Sequence, residues 1–313
     1  MPVAAQSPLA FLEIPSSGRI AALGGEGVTT TEKDLSLFFH NPALLDSVES
    51  GQLYALYNPY LADIQRLIAA VTISVGKISN LALGVNYTGY GEIQRTDPFG
   101  NGQGTFSPRQ YALYLGKSHR TGPFSLGVNL KFAASQIDVQ NRFGLMTDLG
   151  GVYYHPENEW VIGMVIKNMG FEFGGLESNG FSEELFDVVV GTTFKPMYMP
   201  FRFTFTASNL SDYRSAFQNE GTEVDIEDRI LRYLSLGTTL VISESIEGSV
   251  GYNHRRNREL SLSSGGYGAG FSFGMMVKVK DIEIRYSRIS FHAAGGTSFI
   301  SVQSNTNTIK KIF

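Results

Sequence analysis

The chain has 313 residues and a formal net charge of −4; 17% of its side chains are charged, against ~25% in ordinary soluble domains. That balance gives no electrostatic footprint for nucleic acid. Cysteine is absent, which excludes a disulfide framework, a thiolate nucleophile and a lipidated N-terminal Cys. No stretch approaches the ~18 continuous apolar residues of a membrane helix. Yet the chain carries 22 Phe and 15 Tyr at a mean hydropathy near zero, which suits strands with one apolar face.

In chain order, Met1-Pro2-Val3-Ala4-Ala5-Gln6 lacks the charged and apolar regions of a signal peptide. The small residues Val3-Ala4-Ala5 before Gln6 nevertheless match a cleavage site, so residues 1–5 are read as a signal-peptide remnant or an ordinary polar terminus. Ser17 to Val28 then runs into Asp34 to Leu45, part apolar and broken at Gly24-Gly25. Phe38 to Leu45 reads as a short turn or helical stretch, with Asn41-Pro42 as its stop or start. The segment is too apolar for a free tail. It is expected to enter or cap the short-turn end of a barrel as a hatch, with Asn41-Pro42-Ala43 in ordered contact with the wall.

From about residue 50 to 304 the sequence is a run of about fourteen alternating segments. Trp160 to Lys167 puts Trp, Ile, Met and Ile on one face and Val, Gly, Val and Lys on the other. Phe124 to Phe132 opposes a wholly apolar face to Ser, Gly, Asn and Lys. Strand side chains alternate with period two, so each segment is a strand with one greasy and one small or polar side. The polar sides carry Gly84, Asn86, Gly127, Asn129, Lys131, Gly163, Arg202, Thr204, Glu283 and Arg285, which are assigned to the interior.

The gaps alternate too. After even strands they are tight: 76–79, 119–122, 156–158, 196–200, 243–246 and 280–281. Most gaps after odd strands are long: 91–108, 169–185, 210–230 and 255–266. Soluble sandwiches have no reason to gather short turns at one end, whereas outer-membrane barrels put short turns in the periplasm and long loops outside. The predicted fold is therefore all-β: a transmembrane barrel of about fourteen antiparallel strands over 51–304, an N-terminal hatch over 1–50 and a C-terminal tail over 305–313. Both termini are placed on the periplasmic side of a bacterial outer membrane. Phe124, Tyr153, Tyr154, Trp160, Phe194 and Phe201 fall at the short-turn ends of strands, where aromatic girdles form at the headgroup level.

Chemical motifs are weak. Gly270-Phe271-Ser272-Phe273-Gly274 fits a nucleophile elbow in letters, but it lies inside an alternating strand rather than a strand-to-helix turn. Gly116-Lys117-Ser118 ends a phosphate-loop pattern whose first glycine is replaced by Tyr111. The histidines, at 40, 119, 155, 254 and 292, form no close helical pair for zinc. Glu220, Glu223, Asp225, Glu227 and Asp228 crowd one loop without calcium-loop spacing, and read as solvated. Arg255, Arg256 and Arg258 make a basic patch suited to lipopolysaccharide, an acidic partner or plain solvation. No catalytic, cofactor or metal role is assigned.

Arg19…Ala22-Leu23-Gly24-Gly25 followed by Phe39-His40-Asn41-Pro42-Ala43-Leu44-Leu45 resembles the N-terminal region of PorV- and PorQ-type proteins of the type IX secretion system, relatives of the fatty-acid transporter FadL. Phe11 to Pro15, Tyr60 to Ile64, Pro200 to Phe203 and Gly265 to Ser272 favour the PorQ branch. The resemblance implies an outer-membrane barrel in the complex that attaches secreted cargo to surface lipopolysaccharide. A PorZ-type surface protein would be its neighbour, with PorU- and PorV-like proteins alongside. Hatch and lumen contacts are expected from Arg19, Gly24, Gly25, Asn41, Pro42 and Ala43. Partner anchors on the outer loops are expected among Phe99, Phe171, Phe173, Tyr213, Phe217, Arg255, Arg256 and Arg258, since a few aromatic or Arg residues dominate an interface. The alternative is a FadL-like diffusion pathway for hydrophobic small molecules.

Overall fold

The computed structural model describes residues 7–60, 63–75, 78–97, 99–175, 179–212, 226–260, 268–292 and 295–306. Fourteen wall strands follow one another in chain order. They are β1 Gln52–Pro59, β2 Gln65–Val75, β3 Ile78–Gly89, β4 Arg109–Thr121, β5 Phe124–Ile137, β6 Gln140–Tyr154 and β7 Trp160–Phe173. Then come β8 Asp187–Phe194, β9 Phe201–Ala207, β10 Leu234–Ser243, β11 Ile246–Asn253, β12 Phe271–Val279, β13 Ile282–His292 and β14 Gly295–Asn305. Each pairs antiparallel with its neighbours, and β1 closes on β14 from Gln52 opposite Asn305 to Tyr57 opposite Ile300. Closure leaves no backbone edge unpaired, which is the condition for a sheet to sit in hydrocarbon.

The alternation is borne out residue by residue. Along β4, Tyr111, Leu113 and Leu115 face outward while Ala112, Tyr114 and Gly116 are buried. The interior glycines admit close packing. A Cβ on Gly127 would overlap the Pro42 carbonyl, and Gly84 lies under the rings of Phe38 and Phe39. Phe124, Trp160 and Phe201 are exposed on the outer face at the short-turn end, and Phe124 packs on Tyr153 with centroids 5.2 Å apart. Tyr154 differs from the girdle reading. It turns inward, donates to Asp46 at 2.9 Å and stacks under Arg120 at 4.4 Å, because odd and even positions of β6 face opposite ways.

Two stretches read as loops are wall. β5 and β6 continue to Ile137 and from Gln140, joined at 138–139. β7 runs on to Phe173. At these heights polar residues such as Gln136, Asn141 and Glu172 occupy the strands, so the apolar contrast fades while ladder hydrogen bonds persist. Above β3, Ile93–Thr96 and Gly102–Phe106 form a small separate hairpin.

Residues 7–50 fill the lumen. The helix α1 (Gly18–Ala22) and three 3-10 turns, Ala10–Glu13, Leu35–Phe39 and Pro42–Ser47, account for its local structure. Ser17, Asp34 and Asn41 start α1, Leu35–Phe39 and Pro42–Ser47 by accepting the N–H of Ile20, Ser36 and Ala43. Gly24 and Gly25, at φ +102° and +86°, reverse the chain after α1 in a conformation that side chains resist. Phe38, Phe39 and Tyr114 form the centre of an apolar core between segment and wall, with Phe39 edge-on to Tyr114 at 4.9 Å.

Candidate functional site

The interior segment touches the inner face of every wall strand. Tyr54 of β1 donates to Ser16 O, and Arg66 of β2 donates to Pro15 O at 3.1 Å. Gly84 of β3 faces Phe38, and Gln110 of β4 donates to Pro8 O at 2.6 Å. Ser125 and Asn129 of β5 donate to Ala43 O and Phe38 O, both at 2.7 Å. Gly150 of β6 and Gly163 of β7 lie against Asn41 and Thr29. Thr193 of β8 bonds Thr29 at 2.8 Å, Arg202 of β9 pairs with Glu32, and Gly237 of β10 abuts Leu23. Glu247 of β11 pairs with Arg19 at 3.5 Å. Ser272 of β12 accepts the Gly24 N–H and donates to Ala22 O, each at 2.9 Å. Ser287 of β13 donates to Gly18 O at 2.6 Å, and Gln303 of β14 accepts the Leu35 N–H at 3.0 Å.

Several residues that carried the sequence resemblance take part in this union, among them Arg19, Leu23, Gly24, Asn41 and Ala43. Arg19, 4% exposed, pairs with Glu32, Asp34, Glu247 and Glu283 near the short-turn end. Arg202 and Arg285 share Glu247 and bring in Glu32 and Glu283. A buried guanidinium is tolerated where its donors meet acceptors, carboxylates best of all, and three interleaved Arg side chains share theirs. Asn41 donates to Val28 O at 2.9 Å, so one strand of the hatch is tied to another. Ser272, the serine of the elbow-like pattern, holds the hatch and faces no base.

The first described residues lie at the long-connection end, not at the short-turn end. Ser7 donates through its backbone to Glu184 at 2.8 Å and through its hydroxyl to Glu172. The segment thus spans the lumen rather than capping one mouth. Above it, a chamber of about 480 Å³ opens at the long-connection end. Phe11, Ile14, Tyr60 and Phe291 give it apolar walls. Glu13, Glu26, Lys167 and Arg256 give it charge of both signs. Beside Lys167 the ladder carries a β-bulge: Thr147 pairs with Met169 but Leu149 pairs with Ile166, so Lys167 and Asn168 both oppose Asp148. Alternation puts Lys167 on the small or polar face of its strand; the sequence reading missed Glu13 and Glu26, since the interior segment has no strand period that would reveal them.

The loop candidates separate. Phe99 tops the small hairpin, 89% exposed, on a turn where Asp97 accepts the N–H of Phe99 and Asn101. Phe171 and Phe173 are outward wall residues of β7 rather than loop anchors. Phe173 stacks on Phe143 at 5.8 Å, and Phe171 meets Phe181 edge-on at 6.0 Å. Tyr213 and Phe217 lie outside the described residues. Two of the three arginines are ion-paired. Arg255 pairs with Glu259 at 2.7 Å, and Arg256 approaches Gly25 at the chamber. Arg258 in helix α3 (His254–Leu260) pairs with Asp228 of helix α2 (Ile226–Leu231) at 2.6 Å. Asp228 also accepts from His254 at 2.7 Å and Arg232 at 3.1 Å, and these donors hold its carboxyl down at about 2. Among the described residues no group of three His, Asp or Glu is placed to hold a metal.

The closed ring, its outward apolar belt and its filled polar interior define a plugged transmembrane β-barrel of the outer-membrane type. No family model matches the sequence, and no curated protein matches it. The fold is similar to that of the Pseudomonas putida toluene transporter TodX, at 10% identity and a TM-score of 0.50, over 91% of this chain and 95% of that one. A TodX monoaromatic hydrocarbon channel mutant aligns with a TM-score of 0.53 at 10% identity, over 92% and 97% of the two chains.

Proposed function

We propose that this chain is a non-enzymatic docking barrel of the bacterial outer membrane, held shut by its own N-terminal segment and working at its long-connection end. In this reading it is PorQ-like. It anchors a PorZ-like surface protein of the type IX attachment complex, beside PorU- and PorV-like proteins and lipopolysaccharide, with its short turns in the periplasm. The observation that supports this most is the interior segment joined to all fourteen strands, because Arg19, Ala22 to Gly24, Asn41 and Ala43, which resemble the PorV and PorQ proteins, are among the residues that form the joint. A lumen so occupied suits a rigid scaffold, and long loops on a rigid wall are where binding concentrates. Co-purification from detergent-solubilised outer membranes tests it. A surface protein retained by the intact barrel and lost on shortening the 90–108 or 254–270 connection is expected. Full retention by every loop deletion overturns it.

The second reading is a TodX-like uptake barrel, and the fold likeness by itself favours it. The chamber falls within the ~300–1,000 Å³ range of small-molecule pockets. Its mixed charges suit an amphipathic solute better than a bare aromatic hydrocarbon. Flux of small amphiphiles into proteoliposomes, stopped by Lys167→Trp, would establish this reading against docking. Neither reading includes a cofactor, catalysis or nucleic acid.

A further inference from the structure

A second sizeable cavity lies outside the lumen. It is a groove of about 830 Å³ on the outer face of the wall, running along β8 between β7 and β9. Its floor is low because β8 presents only Val190 and Thr192 outward there. Its sides are high because Trp160 and Ile162 rise from β7, and Phe205 rises from β9 beside Phe194. Phe194 and Phe205 stand nearly parallel, with centroids 6.1 Å apart.

The groove is dry. The Thr192 hydroxyl accepts the Trp160 indole N–H at 2.8 Å and donates to Val161 O at 3.0 Å. Its one floor hydroxyl therefore asks nothing of an occupant, and a hydrocarbon chain can lie over it without leaving a polar atom unpaired. The long axis follows β8 from Val190 to Lys195, six residues or roughly 20 Å at ~3.3 Å per residue. That spans most of a barrel's apolar band, ~25 Å.

At the short-turn end the chemistry changes. Lys195 and Glu159 stand together at the mouth, Nζ to Oε1 at 3.2 Å, both partly exposed. Beyond them Met197, Tyr198 and Met199 project from the 195–200 turn, with Tyr198 93% exposed. One cation, one anion and an apolar turn at the end of a hydrocarbon-sized groove match a single class of membrane molecule. We propose that the groove retains a zwitterionic glycerophospholipid, with an acyl chain over Val190 and Thr192. The phosphate would face Lys195 and the headgroup ammonium Glu159. This rests on the membrane reading of the barrel and holds for docking and uptake alike.

Native mass spectrometry of the full chain tests it. The chain would be released from nanodiscs holding equal phosphatidylethanolamine and phosphatidylglycerol. The expected spectrum keeps one phosphatidylethanolamine after detergent stripping. Val190→Trp, which fills the floor, loses that mass, while Leu83→Trp on the outer face of β3 keeps it. Lys195→Glu folds without touching the groove floor and is expected to lose the preference for phosphatidylethanolamine. Heat-shifted gel mobility verifies that each variant is folded. Retention of both lipids alike, unchanged retention by Val190→Trp, equal loss by Leu83→Trp, or an unchanged preference in Lys195→Glu each overturns the proposal. Should Val190→Trp fail to fold, the Lys195→Glu result decides alone. An outer membrane barrel inactive in both docking and flux, yet still carrying this lipid, separates the groove from those readings.

Discussion

Asp148 of β6 accepts the backbone N–H of Asn168 of β7 at 2.9 Å, at the place where the ladder between those strands skips a residue. Asn168 sits there at φ +55°, a conformation Asn tolerates better than most residues. The same carboxylate meets the Lys131 ammonium at 2.7 Å, and the Asn168 side chain donates to Leu185 O at 2.9 Å. One buried acid therefore pins a wall bulge, a lumenal cation and the foot of the connection to β8.

Asp148→Ala should destabilise the barrel by about 3–5 kcal/mol, because it strands a buried ammonium and frees a strained N–H together. Asp148→Asn keeps an acceptor for Asn168 and should cost less. Adding Lys131→Met to it should recover part of the loss. Thermal unfolding in detergent measures all three. If Asp148→Ala unfolds with the wild type, the bulge does not depend on this residue.

Arg19 tests how the lumen is held. Arg19→Ala leaves Glu32, Asp34, Glu247 and Glu283 facing one another with two arginines instead of three. The interior segment should loosen while the wall stays closed. Proteolysis of residues 7–50 in a barrel that still shows heat-shifted mobility, with raised conductance in planar bilayers, is the expected pair of results. Wild-type protection and conductance would show that the apolar core alone holds the segment.

Gly127 is the steric counterpart. Its missing side chain admits the Pro42 backbone, and backbone cannot swing aside as a flexible side chain would. Gly127→Val should cost at least the ~1–3 kcal/mol typical of overpacking and expose the segment to protease. Leu130→Val, an outward change on the same strand, should leave protection unchanged.

Asp228 sets a pH dependence for the outer helices. Its donors from Arg232, His254 and Arg258 pull its carboxyl from the ordinary 3.8 to about 2. A carboxyl lowered on folding stabilises the form that holds it charged. The clamp between α2 and α3 is thus complete above pH ~4 and is lost as pH falls through about 2. Hydrogen exchange in 226–232 and 254–260 should accelerate over that window while wall strands stay protected. Asp228→Asn should exchange fast at every pH. A wild-type profile flat down to pH 2 would rule the clamp out.

Strand order, strand number and the facing of Gly84, Asn129, Lys131, Arg202 and Arg285 were legible in the chain itself. Alternation is a local property: a strand half in hydrocarbon and half against a plug must repeat every second residue, wherever its partners lie. The same rule predicted too little at Ser135 to Gly144 and at Met169 to Phe173, where the apolar contrast ends before the backbone pairing does. The rule put Asp148 and Lys167 on inner faces but not the bulge that sets Lys167 and Asn168 both opposite Asp148, and Glu13 was beyond its reach, because a hatch residue has no period. Only the tertiary structure decided that Arg19 meets carboxylates from Glu32 to Glu283, that Ser7 lies at the long-connection end, and that Arg258 pairs with Asp228. Those pairings join residues far apart in the chain, and they follow from how a closed ring wraps a folded segment. Local periodicity carries no record of that wrapping.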